Sequence, residues 1–221
     1  MNIIFDLDGT LIDSAPDICE MAGTLLREMD QPRLTLEETR SFIGEGSAVF
    51  VRRMIAAREL DASDEFHEQL HHRFVSLYDS AVSHTVLYPG VVEVLDDLIE
   101  DGHTLGICTN KPERATQAVL KHMEMDQYFG TVMAGGMLAT RKPEPEMLVE
   151  ANRALGDGPL LYVGDSEIDA QTAQRCQAPF ALFSQGYRKT PVERIHHDWS
   201  FDDFCALPEI VKEALSRQAA G

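Results

Sequence analysis

The sequence lacks an apolar run long enough to span a membrane, and it has only four cysteines among 221 residues. A transmembrane helix needs about 20 consecutive apolar residues, so we predict none. The cysteines form no CxxC pair and therefore indicate neither a zinc site nor a redox motif. The amino terminus lacks the basic and apolar regions of a signal peptide. We expect a cytoplasmic protein with free thiols that does not bind membranes.

Positive charge is also scarce, because 19 Lys and Arg face 37 Asp and Glu, for a formal net charge of -18. A surface of this sign repels nucleic acid phosphates and anionic lipids, so we expect neither as a partner. A small anionic substrate can still bind, because a site responds to the cations nearest to it. The sequence leaves open whether the chain forms a homodimer.

Short apolar runs alternate with helical patterns along most of the chain, which predicts a doubly wound α/β fold with a parallel sheet. The predicted strands cover residues 3–7, 103–109, 131–134, 160–164 and 180–183. The helices between them are predicted at 91–100, 113–122, 145–155 and 168–176, because apolar residues recur there at spacings of three and four.

About ninety residues separate the first two strands, far more than a connecting loop of roughly 2–6 residues requires. Helical spacing recurs within this segment at 17–29, 36–42, 47–60 and 64–79. We therefore predict an all-helical cap at 15–82, inserted into a catalytic core formed by residues 1–14 and 83–221.

Two carboxylates, Asp6 and Asp8, follow the first strand in the run Phe5-Asp6-Leu7-Asp8-Gly9-Thr10. Residues two apart on an extended chain point to the same side. One carboxylate could attack phosphorus while the other handles the proton of the leaving group. An Asx-rich turn is the structural alternative for this motif taken alone.

Polar residues follow the other strands as well. Thr109 and Asn110 offer donors that suit a phosphate, and Lys142 offers a positive charge. Asp165 and Asp169 lie four apart after the strand at 160–164. Open α/β sheets bind ligands at the carboxyl ends of their strands, so we expect these groups to meet at one edge.

These motifs resemble the haloacid dehalogenase superfamily, which matches Asp6 to Thr10, Thr109, Lys142 and the segment from Gly164 to Asp169. The resemblance implies that Asp6 is the nucleophile and that Asp8 is the acid and base. It further implies that Thr109 and Lys142 bind phosphate. Mg²⁺ would be held by Asp6, the backbone carbonyl of Asp8 and Asp165, with Asp169 supporting this shell. Independently, an oxygen-only ligand set favours Mg²⁺.

Further motifs resemble the phosphoglycolate phosphatase branch: the segment 11–17, Gly44-Glu45-Gly46 with Arg53, and Thr109-Asn110-Lys111-Pro112. The resemblance implies that a basic cap residue binds the carboxylate of the substrate, for which Arg53 is the candidate and Arg52 the alternative. One departure from the family is Gln177, which replaces a usual glycine.

We therefore expect a Mg²⁺-dependent phosphatase that hydrolyses a small phosphorylated metabolite, 2-phosphoglycolate, through an aspartyl-phosphate. A pyrophosphatase or a phosphosugar phosphatase or mutase on the same core is an alternative, and a catalytically silent binding module is another. Asp8 argues against a dehalogenase, because halide displacement needs no protonation of the leaving group.

Overall fold

A computed structural model describes residues 1–78 and 81–219. The strands are β1 (Asn2–Phe5), β2 (Ile12–Asp13), β3 (Val86–Leu87), β4 (Thr104–Pro112), β5 (Thr131–Gly135), β6 (Leu160–Gly164), β7 (Phe180–Phe183) and β8 (Trp199–Phe201). The helices are α1 (Ala15–Glu28), α2 (Leu36–Phe42), α3 (Ser47–Ala57), α4 (Asp64–Ser76), α5 (Val91–Glu100), α6 (Glu113–His122), α7 (Glu146–Ala154), α8 (Glu167–Cys176) and α9 (Leu207–Ala219).

Six of these strands form one parallel sheet in the order β5-β4-β1-β6-β7-β8. The chain starts at β1, builds outward through β4 and β5, and then returns to the other side of β1 with β6. Ligands of open α/β sheets bind where the strand order reverses in this way. The carboxyl end of β1, which leads directly into Asp6, lies at that point.

Both faces of the sheet are covered, which explains why its strands are continuous apolar runs. In β1, Ile3 and Phe5 pack into a core cluster that includes residues of α5, α6 and α9. Ile4 points to the opposite face and packs with residues of α7 and α8. The predicted doubly wound α/β class is confirmed.

The four helices α1 to α4 pack around a separate apolar cluster that includes Phe50, Met54 and Phe74. Local capping sets two of their starts. The hydroxyl of Thr35 accepts from the backbone of Glu38, whose carboxylate accepts from Thr35 in return, and Ser63 caps α4. Such caps satisfy backbone N–H groups that have no partner inside the helix. The predicted all-helical cap is therefore present, while its boundaries at 15 and 82 stay a prediction.

The small antiparallel pair of β2 and β3 joins the two connections between cap and core, with Asp13 opposite Val86. Asp17, near the start of α1, reinforces this junction. Its buried carboxylate accepts hydrogen bonds from the backbone N–H groups of His84 and Thr85, at 3.1 and 2.7 Å, and from the Thr85 hydroxyl at 2.6 Å. Both connections are thus held together at one place.

Some predicted elements have different ends. The second predicted strand stops at residue 109, whereas β4 continues to Pro112, with an irregular register after Cys108. Thr109 and Asn110 therefore lie within a strand, and α6 begins at Glu113, as the helix predicted at 113–122 does. The predicted end of the fourth cap helix at residue 79 lies outside the described residues. β2, β3, β8 and α9 were not predicted.

Gln177 ends α8 in the left-handed conformation, with φ 54° and ψ 34°. Glycine usually takes this position because a Cβ atom makes the conformation less favourable. The helix therefore keeps the usual termination geometry without the usual residue. None of the helices in the described part of the chain has the length and apolar character needed to cross a membrane.

Candidate active site

The chain turns sharply after Asp8, directly at the end of β1. The N–H groups of Leu11 and Ile12 return to the carbonyl of Leu7, at 3.0 and 3.2 Å. Gly9 permits this turn with φ +91°, and a Cβ atom there would lie 2.6 Å from Oδ2 of Asp165. Both the backbone conformation and the crowding therefore require glycine. The turn holds Asp6 and Asp8 at the sheet edge, where both line one cavity.

Lys142 lies beneath this cavity with its side chain 2% exposed. Its Nζ lies 2.8 Å from Oδ1 of Asp6, 2.7 Å from Oδ1 of Asp169 and 3.0 Å from the hydroxyl of Tyr162. The Tyr162 hydroxyl is itself 2.8 Å from Oδ1 of Asp169. The ammonium is thus fixed in place by three oxygen atoms. Burial alone would lower the pKa of Lys142, but the carboxylates of Asp169 and Asp6 outweigh it and raise the pKa.

Asp169 is oriented by the start of α8. Ser166 and Asp169 form a reciprocal capping box, in which Oδ2 of Asp169 accepts from the Ser166 backbone at 3.1 Å and hydroxyl at 2.6 Å. Its other carboxylate oxygen is therefore left to face Lys142. Burial alone would raise the pKa of Asp169. The charge of Lys142 and the hydrogen bonds from Lys142, Ser166 and Tyr162 outweigh burial and lower the pKa.

Asp165 completes the acidic side of the site. Oδ1 accepts from the Thr10 hydroxyl at 2.9 Å, and Oδ2 accepts from the backbone N–H of Tyr187 at 2.6 Å. Burial, together with the negative charges of Asp169 and Asp6, raises the pKa of Asp165 well above its ordinary value. This carboxylate therefore favours a nearby cation when it is ionised.

Asp6, Asp165 and Asp169 each offer an oxygen within 4.8 Å of the others. Although Nζ of Lys142 is close to Oδ1 of Asp6, no well-aligned hydrogen bond reaches this buried oxygen within the described part of the chain. Burial raises the pKa of Asp6 to about 7, and Lys142 only partly offsets this effect. Three buried carboxylates near one ammonium, with one oxygen that has an ion pair but no aligned hydrogen bond, fit a hard divalent cation such as Mg²⁺.

Asp8 has a different set of neighbours. Nζ of Lys111 lies 2.9 and 3.2 Å from its two carboxylate oxygens, and the hydroxyl of Ser14 donates to Oδ1 at 2.5 Å. The Lys111 side chain is 4% exposed, and its Nζ lies 5.2 Å from the centre of the Tyr78 ring. Asp8 is therefore held by groups separate from those that hold Asp6.

Thr109 and Asn110 also line the cavity. The Thr109 hydroxyl accepts from the backbone of Lys111 at 3.2 Å, which leaves its own hydrogen available to a ligand. The Asn110 side chain bonds the backbone of Lys142 in both directions, each at 2.9 Å, and donates to the Gly44 carbonyl at 3.0 Å. The side-chain amide of Asn110 thus bonds Lys142 and the cap. Binding of phosphate by Asn110 stays a prediction, and the backbone N–H is the group that we expect to donate.

The two cap arginines do not line this cavity among its described residues. The guanidinium of Arg53 forms an ion pair with Glu45 and donates to the Phe42 carbonyl at 3.1 Å. Arg52 is exposed and lies 3.5 Å from Asp64. The cap side of the cavity is formed instead by Ile18, Ile43, Gly44, Gly46, Ser47, Phe50 and Tyr78.

Four residues that contact the predicted site were not singled out from the sequence: Thr10, Ser14, Lys111 and Tyr162. Thr10, Ser14 and Lys111 carried a signal, because they belong to the motifs at 6–10, 11–17 and 109–112. Tyr162 carried none, because an aromatic residue inside a buried strand is ordinary core composition. Its contact with Lys142 depends on how the strands and the loop after β5 assemble.

Comparison with known proteins agrees with this fold. A sequence model of haloacid dehalogenase-like hydrolases matches residues 3–183. The chain therefore belongs to this family. It is 44% identical to a phosphoglycolate phosphatase from Rhodobacter capsulatus, over 95% of this chain and 96% of that protein. It is 37% identical to one from Cereibacter sphaeroides strain ATCC 17025, over 97% of this chain and 99% of that protein.

A solved structure from Haemophilus somnus, described as a predicted phosphoglycolate phosphatase, superposes with a TM-score of 0.88. It is 28% identical and covers 95% of this chain and 96% of its own. The similarity therefore extends over both the sheet and the helical cap.

Proposed function

We propose that the protein is a Mg²⁺-dependent phosphatase that hydrolyses 2-phosphoglycolate to glycolate and phosphate through a phosphoaspartate on Asp6. The observation that carries the proposal is the buried Oδ1 of Asp6, which lies beside Lys142 without an aligned hydrogen bond. The identity to phosphoglycolate phosphatases over nearly the full length of the chain supports the choice of substrate.

In the first step, a carboxylate oxygen of Asp6 attacks phosphorus and forms a new P–O bond. The bond between phosphorus and the ester oxygen breaks, and Asp8 donates a proton to the departing oxygen. Lys142 reduces the repulsion between the anionic substrate and the Asp6 carboxylate, because its ammonium is held at the nucleophile. Thr109 offers a hydroxyl to the phosphoryl group.

In the second step, water attacks the phosphorus of the phosphoaspartate while Asp8 removes its proton. The bond between phosphorus and the Asp6 oxygen breaks, which releases phosphate and regenerates the carboxylate. Asp8 therefore ends the cycle protonated, ready to serve as the acid again. The helical cap over the cavity limits the access of bulk water and large substrates.

The metal would be held by the carboxylates of Asp6 and Asp165 and by the backbone carbonyl of Asp8. Asp169 would support these ligands through its contacts with Lys142 and Ser166. When bound, Mg²⁺ supplies positive charge that compensates the buried carboxylates and the substrate phosphate. The oxygen-only donors favour such a hard cation, and so does Oδ1 of Asp6, which has no aligned hydrogen bond among the described residues.

A phosphate-release assay with Mg²⁺ tests this function. The panel contains 2-phosphoglycolate, pyrophosphate, a hexose 6-phosphate, and glucose 1-phosphate with its bisphosphate, which a mutase needs. We expect the highest kcat/KM for 2-phosphoglycolate and no turnover in Asp6→Asn, whose amide keeps the shape but loses the nucleophile. The exposed Asp202→Asn is the matched control. Near-native turnover by pure Asp6→Asn protein would contradict the mechanism.

The cytoplasmic location and a homodimer are further parts of the proposal that need their own measurements. Cell fractionation tests the first, and light scattering of the purified protein tests the second. Complete absence of phosphate release from every ester, with no conversion of glucose 1-phosphate to glucose 6-phosphate, would instead favour the alternative of a silent binding module.

A further inference from the structure

A buried cation in the cavity over Asp6 and Asp8 has no part in the phosphoryl chemistry described above. This cation is Lys111, the only positively charged side chain among the described residues that line this cavity. An adjoining cavity on the Asp165 side of the same two carboxylates contains Lys189, whose side chain is 40% exposed. Its side chain is 4% exposed, and a buried ammonium is costly unless negative groups surround it. Within the described part of the chain, its Nζ hydrogen-bonds only the carboxylate of Asp8. A lysine ammonium has three donors, so a further acceptor can bind it.

The position of Lys111 beside Asp8 determines which part of a substrate it can reach. Asp8 protonates the leaving oxygen in the proposed mechanism, so that oxygen must lie within hydrogen-bonding distance of it. In 2-phosphoglycolate a single methylene separates this oxygen from the carboxylate. A group bonded to Asp8 at 2.9 Å is therefore close to where the carboxylate must lie.

The remaining walls of the cavity increase the need for this cation. Ile18, Ile43 and Phe50 contribute apolar surface on the cap side, and Tyr78 covers Lys111. A carboxylate brought against such surface without a partner would lose its hydration and gain nothing in return. The ammonium of Lys111 supplies the missing charge.

Arg53 is less well placed for this task. Its guanidinium is already paired with Glu45 and the Phe42 carbonyl, and its side chain is 31% exposed. It would have to break an existing ion pair and enter the cavity before it could bind a substrate of this size. Lys111 requires no such rearrangement.

We propose that Lys111 binds the carboxylate of the substrate and thereby sets the preference for 2-phosphoglycolate over esters without a carboxylate. This inference rests on the proposed phosphatase function and deepens it. Lys111 is then a specificity-determining residue that bridges the proton donor Asp8 and the non-reacting end of the substrate.

The test compares kcat/KM for 2-phosphoglycolate and ethyl phosphate, which differ in the carboxylate but share the ester and the methylene. Lys111→Met keeps most of the side-chain length without the charge. Because Lys111 also contacts Asp8, both substrates will lose rate in this variant. The ratio of the two kcat/KM values should nevertheless fall about tenfold or more, as the loss of a hydrogen bond between charged groups predicts.

Three other variants serve as comparisons. The exposed Lys121→Met should leave the ratio unchanged, and so should Arg53→Ala and Arg52→Ala. Lys111→Gln replaces the Met variant if circular dichroism shows that the latter does not fold. An unchanged ratio in a folded Lys111 variant, or equal losses for both esters, would overturn the proposal. A fall in the ratio only for Arg53→Ala would assign the carboxylate to the cap arginine.

The wild-type protein separates this inference from the function on which it rests. If it hydrolyses both esters equally well and Asp6→Asn is inactive, the phosphatase mechanism holds and the carboxylate site at Lys111 is rejected. If neither ester is hydrolysed in the presence of Mg²⁺, the proposed function itself fails, and the inference fails with it.

Discussion

The hydroxyl of Tyr162 lies 3.0 Å from Nζ of Lys142 and 2.8 Å from Oδ1 of Asp169, so one buried tyrosine joins the cation and the carboxylate of the site. A strand in the middle of the sheet thus contributes directly to the position of the Lys142 ammonium. Burial, with the nearby charge of Asp169, raises the pKa of Tyr162 well above its ordinary value, which keeps its hydroxyl protonated.

Tyr162→Phe should lower kcat/KM and destabilise the fold by about 1.5–3 kcal/mol, because a hydrogen bond to charged groups is lost without a replacement. The phosphate-release assay and urea denaturation measure the two effects. Tyr128→Phe, which removes a hydroxyl outside the site, is the control. Full activity and stability in Tyr162→Phe would show that the hydroxyl does not position Lys142.

Asp6→Asn should make the metal-free protein more stable than the wild type above pH 7. Burial raises the pKa of Asp6 from 3.8 to about 7 in the folded state, so folding favours the protonated form. Between these values the folded state binds more protons, and the stability of the wild type falls as the pH rises. Asparagine stays neutral, so its advantage should grow from pH 4 to 7 and then level off.

Urea denaturation at several pH values in excess chelator measures this difference. Adding Mg²⁺ should reverse it by stabilising the wild type, because a ligand that binds the folded state raises its stability. A pH-independent difference between the two proteins would contradict the assignment of the raised pKa to Asp6.

Chelation should abolish phosphate release, and Mg²⁺ should restore it. Ca²⁺ should restore it poorly, because its larger and looser coordination shell does not hold the ligands in the octahedral arrangement that Mg²⁺ requires. Activity assays after dialysis against chelator, with each metal added back, provide the measurement. Undiminished turnover in excess chelator would exclude a metal from the reaction.

Asp17→Asn should destabilise the protein by roughly 2–3 kcal/mol at pH 7, because its carboxylate accepts several hydrogen bonds from His84 and Thr85. Burial alone would raise the pKa of Asp17, but these bonds outweigh burial and lower it from 3.8. The stabilisation is therefore complete above pH 3.8. It is lost as the pH falls through the pKa that Asp17 has in the folded state, which is lower.

Urea denaturation at pH 7, 5 and below 4 provides the test for Asp17, with Asp202→Asn as the exposed control. The stability gap between wild type and Asp17→Asn should be constant at the two higher pH values and shrink at the lowest. A gap that widens below pH 4 would contradict the predicted direction.

Much of the fold could be predicted because buried strands and amphipathic helices have distinct spacings of apolar residues. The meeting of Asp6, Lys142 and Asp169 follows from the rule that parallel strands end at one edge. β8 was missed because three residues carry too little pattern for a strand. The sequence of α9 does have the apolar spacing of a helix, at Leu207, Ile210, Val211 and Ala214, but no helix was predicted there.

The contacts of Lys111 and Tyr162 could not be predicted in the same way. They depend on the irregular register of β4 beyond Cys108 and on the path of the loop that carries Lys142. Neither is encoded in a local spacing of residue types. Roles assigned from motifs alone, such as that of Arg53, therefore stay predictions until the variants are measured.

The antiparallel pair of β2 and β3 has a consequence for how such a protein can change over time. With Asp13 opposite Val86, the polypeptide departs from the sheet and rejoins it at adjacent positions. Insertions whose ends are neighbours place little strain on their host. Recombination at this stem could therefore exchange the four helices for a different module while the phosphate chemistry below is inherited intact, so that new substrate ranges arise without a new catalyst.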